Sequence, residues 1–107
     1  MFPLLGLDHA LILSAAPYIR RSKTGEGVQI DLLIQTKRSL FVVEVKRQSR
    51  IPYEVVAQVE RKVKLMPIPA DKSIRTVLVY AGELDPRIEA DNGFDFIISA
   101  ERLVSGT

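Results

Sequence analysis

Two apolar segments separated by four polar residues constrain this chain more than any other feature. Val28-Gln29-Ile30-Asp31-Leu32-Leu33-Ile34-Gln35 and Leu40-Phe41-Val42-Val43-Glu44-Val45-Lys46 are rich in β-branched and aliphatic residues, and Thr36-Lys37-Arg38-Ser39 lies between them. The pattern reads as two strands joined by a tight turn. Apolar residues on both faces of the first strand predict burial from both sides, as in the middle of a sheet. A carboxylate at Asp31 is costly there unless it is paired or bound to a cation. Glu44 and Lys46 raise the same question. Alternation sets them on one face of their strand, with Phe41, Val43 and Val45 on the other. With a tight turn, Asp31 and Glu44 fall at nearly opposed positions, their Cβ atoms about 5 Å apart. Two carboxylates that close repel unless a cation lies between them. The competing reading is an internal ion-pair cluster of Asp, Glu and Lys without chemistry.

The remaining sequence sets this hairpin in a mixed α/β order. Met1 to Ala16 reads as helical pieces, with Asp8 capping a short helix through Leu13 and Pro17 ending it. Tyr18-Ile19-Arg20-Arg21 reads as a first strand, and Gly25 and Gly27 mark a turn before the hairpin. Val55, Val56, Val59 and Val63 recur at helical spacing after Pro52, which predicts an amphipathic helix to about Leu65, ended by Pro67 and Pro69. Arg75 to Tyr80 reads as a strand, Gly82 to Gly93 as a loop, Phe94 to Ile98 as a short strand and Ala100 to Val104 as a helical turn. The order α-β-β-β-α-β, then a terminal strand or helix, predicts a central mixed sheet flanked by helices. The 107 residues show no repeat or interdomain linker and read as one domain.

Composition narrows the chemistry. Hydrophobic residues make up 47% and charged residues 26%, a globular rather than a disordered balance. The chain has no cysteine and a single histidine, His9, which removes disulfide frameworks, structural zinc sites and cysteine nucleophiles together. A Ser–His–Asp arrangement would have to use His9, and no nucleophile-elbow sequence accompanies it. Any catalysis therefore falls to carboxylates and lysines. No apolar stretch is long enough to cross a bilayer and the N-terminus lacks a signal-peptide pattern, so a cytoplasmic, non-membrane protein is expected. A net charge of +2 and a pI near 9.1 permit nucleic-acid binding without requiring it.

Gly27-Val28-Gln29-Ile30-Asp31-Leu32-Leu33-Ile34 followed by Val42-Val43-Glu44-Val45-Lys46 resembles the signature of the PD-(D/E)XK nuclease superfamily. There, an acidic residue on one strand is followed, after a hairpin, by Glu-X-Lys on the next. The resemblance runs from about Tyr18 to Tyr80 and includes the following helix and strand. Its local wording is also similar to nuclease-like domains at the C-terminus of some prokaryotic ATPases, which makes an ATPase module, in the same or a neighbouring chain, an expected partner. It implies a restriction-endonuclease-like fold. It also implies a Mg²⁺-dependent deoxyribonuclease, Mn²⁺ being the natural substitute. Asp31 and Glu44 would be carboxylate ligands of the ion, and the backbone carbonyl of Val45 a third. Lys46 would orient or activate the attacking water, and Gln58 matches a glutamine that some relatives place beside the site. Many members add an acidic residue from a helix before the first strand, whereas the only acid ahead of Tyr18 here is Asp8.

These residue types suit the implied chemistry. Carboxylate and carbonyl oxygens favour hard ions such as Mg²⁺. Such an ion makes water a better nucleophile and neutralises phosphoryl charge, and a lysine ammonium stabilises the more negative transition state. Arg47 and Arg50 directly follow Lys46 and are expected to hold the phosphate backbone of DNA. Arg20 and Lys23, with Arg21, form a further basic cluster ahead of the hairpin and are expected at the DNA backbone as well. Pairing into a homodimer is compatible with the resemblance, since small nucleases of this fold often pair to span a duplex.

Overall fold

The computed structural model describes residues 12–20 and 27–101. Five strands form one mixed sheet in chain order: β1 (Ile12–Arg20), β2 (Val28–Thr36), β3 (Ser39–Ile51), β4 (Ser73–Leu84) and β5 (Phe96–Ser99). β1, β2 and β3 pair antiparallel, whereas β4 and β5 add parallel to β3 and to each other. The parallel joins require crossovers. The long helix α1 (Glu54–Leu65) carries the chain from β3 to β4, and the short helix α2 (Pro86–Ala90) carries it from β4 to β5.

The hairpin forms as the sequence predicts. Lys37 and Arg38 make the turn, and the Thr36 hydroxyl closes it by accepting from the Ser39 N–H at 3.0 Å. The ladder then runs from Gln35↔Leu40 to Leu32↔Val43. α1 also follows its predicted bounds. Glu54 in its first turn and Lys62 and Lys64 in its last complement the helix dipole. The chain leaves the helix through Met66, whose extended backbone precedes Pro67.

Alternation along the strands divides the core in two. Val28, Ile30, Val42 and Leu78 face α1 and α2, packing on Val55, Val59 and Ile88. Ile34, Phe41, Val43, Val77, Val79 and Ile98 cluster on the opposite face. α1 and α2 lie on the first face, whereas Ala100, where the chain turns helical again after β5, packs against the cluster on the second; the rest of that expected terminal turn lies outside the described residues. No helix is long and apolar enough to cross a membrane among the described residues.

Three expectations are corrected. Ile12 to Ala16 belongs to β1 and not to a helix; Pro17 sits within this edge strand, where a missing N–H costs no ladder bond. The rest of the expected N-terminal helix lies outside the described residues, as do Arg21 and Lys23. β3 continues five residues past Lys46 to Ile51, held by parallel pairing to β4. Finally, the expected loop between Gly82 and Gly93 contains α2, capped by the Asp85 side chain with Pro86 at its first position.

Candidate active site

The site forms where β2 and β3 part. Ala16 pairs with Leu33 and Tyr18 with Ile30, so Pro17 on β1 stands opposite two residues, Asp31 and Leu32. This is a β-bulge on β2. It resets the alternation: Val28, Ile30 and Leu33 pack toward α1, while Leu32 and Ile34 pack on the other face. The bulge also releases Asp31 from burial. Its side chain is exposed, which corrects the expectation of a strand enclosed on both faces. Asp31 is nonetheless anchored, because its Oδ2 accepts a hydrogen bond from the Val45 N–H at 2.8 Å. One step beyond the last paired residues, Leu32↔Val43, sets Asp31 against Glu44, as the tight turn requires.

Glu44 is the buried member. It is 3% exposed on the α1 face of β3, beside Val42. A carboxylate so enclosed needs a counter-charge, and it has two. Lys62 on α1 donates to both oxygens, at 3.2 Å to Oε1 and 3.0 Å to Oε2. Lys46, two residues along the same face of β3, lies 3.6 Å from Oε1. Every buried side-chain nitrogen and oxygen among the described residues has a hydrogen-bond partner.

Lys62 is not among the residues that the hairpin motif singles out. The signal was present. Val55, Val59 and Met66 are buried, and Lys62 completes their 4-3-4 spacing along α1. A lysine in the middle of an apolar stripe implies an acidic partner beneath it. Gln58, one turn earlier on the same helix side, lines with Gly27, Arg61, Lys62 and Leu65 a groove of about 450 Å³.

The basic residues expected to touch DNA are dispersed. Arg47 is exposed and, by alternation, lies on the face opposite Glu44. Arg50 stands six strand residues from Glu44, about 20 Å along β3. It lines a separate crevice of about 300 Å³ with Tyr53, Glu83, Asp85 and Arg87. Arg20 donates to the Leu65 carbonyl at 2.9 Å and so closes the end of α1 against β1.

In that crevice Arg87 grips Asp85 and covers Tyr53. Its side-chain hydrogen bonds hold the Asp85 carboxyl well below its usual 3.8, at about 2, helped by the Arg87 backbone N–H. The Arg87 guanidinium also sits 4.7 Å above the Tyr53 ring. The hydrogen bond that Tyr53 gives Asp91 raises its phenol above the ordinary tyrosine value.

Among the described residues no group of three or more His, Cys, Asp or Glu side chains gathers. The protein oxygens available to an ion at the site are thus the Asp31 and Glu44 carboxylates and nearby backbone carbonyls. That set fits Mg²⁺, which is commonly held by one or two carboxylates and keeps several waters. The enclosed Glu44 carboxylate already accommodates a cation, the Lys62 ammonium. Comparison with protein-family models, curated proteins and solved structures finds no match for this chain.

Proposed function

We propose that this chain is a PD-(D/E)XK-type nuclease domain with a restriction-endonuclease-like fold, hydrolysing phosphodiester bonds in DNA. The observation that carries this reading is the convergence of the motif residues. Asp31 is anchored on the Val45 N–H, and Glu44, beside Lys46, lies one peptide away. A β-bulge presents the exposed carboxylate and the sheet interior presents the buried one.

Asp31 and Glu44 would hold Mg²⁺ or Mn²⁺, with the Val45 carbonyl as a third protein ligand. The bound ion supplies Lewis-acid activation of water and neutralises charge on the phosphoryl group. Lys46 places an ammonium beside the Glu44 oxygens, where it orients the attacking water and stabilises negative charge developing on phosphate. Gln58 projects from α1 into the neighbouring groove and is assigned to water or substrate positioning. Arg20 and Lys23 keep their assignment to the DNA backbone, whereas Arg47, on the opposite face of β3, and Arg50, in a separate crevice, do not flank the site.

A second reading has its own support. With two carboxylates and no third acidic ligand among the described residues, the same surface suits a nuclease-like module that binds nucleic acid or a partner ATPase and cleaves poorly.

Cleavage of supercoiled plasmid and of single-stranded DNA tests the first reading. Metal-dependent cutting that falls at least about a hundredfold in Asp31→Ala and in Lys46→Ala is the expected result, the usual scale for losing a general-base or electrostatic group. DNA binding without cutting in the folded protein would favour the module instead.

A further inference from the structure

We propose that Lys62 is a displaceable internal cation. Its ammonium holds the Glu44 carboxylate until a divalent ion takes that carboxylate, and then turns into the groove beside α1. The proposal rests on the metal-centre reading above and adds the residue that governs loading of that centre.

Three observations carry it. The first is occupancy. Lys62 Nζ reaches both Glu44 oxygens, at 3.2 and 3.0 Å, whereas Lys46 approaches one at 3.6 Å. An ion that uses Glu44 therefore shares both oxygens with the Lys62 ammonium and is repelled by its charge at close range. The second is burial. Glu44 is 3% exposed, and a carboxylate that enclosed cannot stand without a counter-charge. Exchanging one cation for another keeps Glu44 compensated in both states, and neither state requires the sheet to open. The third is freedom to leave. The Lys62 side chain is 28% exposed and itself lines the groove with Gln58 and Leu65, so the ammonium reaches water by rotating its stem while α1 stays fixed. A compact ammonium on four methylenes suits this exchange better than the planar fork of an arginine would.

Metal affinity is then the outcome of a competition that substitution of Lys62 relieves. Titrations of Mn²⁺, followed by its electron paramagnetic resonance signal at one fixed pH, compare wild type with Lys62→Gln. Binding about tenfold tighter in Lys62→Gln supports the proposal, provided that Asp31→Asn weakens binding in both backgrounds. A second readout needs no stable variant. In ¹⁵N spectra of the lysine ammonium groups, a protected Lys62 signal is expected in the metal-free wild type and is lost on saturation with Mg²⁺.

Equal Mn²⁺ affinity in wild type and Lys62→Gln overturns the proposal while leaving the metal centre standing. A protected Lys62 signal that persists at saturating metal does the same, and it decides alone if Lys62→Gln fails to fold. Absence of Mn²⁺ binding in both proteins overturns the proposal together with the reading on which it rests.

Discussion

Glu44 sits where a valine would cost less. Its neighbours on the same face of β3 and α1 are Val42, Val55 and Val59, and its carboxylate is kept there by two lysines drawn from different elements. An arrangement of this kind adds little net stability, because desolvating the charges offsets their attraction. Under the proposed function it is a cation-binding position kept for use. A contrasting ion pair occurs at Asp85, where the partly exposed carboxyl is gripped by the more exposed Arg87 and caps α2. Because Asp85 is depressed from 3.8 to about 2 in the folded protein, its contribution to stability is complete above about 4 and fades as pH falls through about 2. A carboxyl ¹³C titration should give Asp85 a midpoint near 2, returning toward 3.8 in Arg87→Gln. A wild-type midpoint already near 3.8 would contradict the assigned grip.

At the scale of elements, two of the three register shifts in the sheet carry consequences. The bulge at Asp31–Leu32 aims a carboxylate, and a second irregularity lies farther along β3. There Gln48 and Ser49 stand between the pairs Arg47↔Ala81 and Arg50↔Glu83, opposite the single residue Gly82. Gly82 has φ +129°, and a Cβ on it would come within 1.8 Å of the Gln48 carbonyl oxygen. Gly82→Ala should therefore lower stability by more than about 2 kcal/mol, since backbone strain of about 1–3 kcal/mol is joined by a collision with main chain that cannot swing aside. Urea denaturation checks this, and a loss below about 0.5 kcal/mol would refute it. The hairpin and α1 were legible in the sequence because periodicity and turn chemistry agree in each. β1 was legible only from Tyr18, because a proline usually ends a local element, and only pairing with β2 makes Ile12 to Pro17 part of the same strand. The end of β3 escaped notice for the same kind of reason: Arg47-Gln48-Ser49-Arg50 has no apolar alternation and takes its form from β4. α2 announces itself in Asp85-Pro86, yet five residues offer too short a period to read.

At the scale of the whole molecule, α1 and α2 layer on one face of a five-stranded mixed sheet, and the motif residues meet where the antiparallel half gives way to the parallel half. Asp31 and Glu44 were legible as a pair because their register follows from the turn length alone. Lys62 signals an acidic partner through its spacing on α1, but that the partner is Glu44 depends on how α1 lies across the sheet, which is a matter of packing and not of local pattern. Under the proposed function, Asp31 and Glu44 share one hard divalent ion. Anomalous diffraction from crystals soaked in Mn²⁺ tests it most directly. The expected result is a single peak about 2.1 Å from oxygens of both carboxylates, with the Lys62 ammonium moved off Glu44. Crystals that show no peak there, with Lys62 still bound to Glu44 at saturating Mn²⁺, would contradict it.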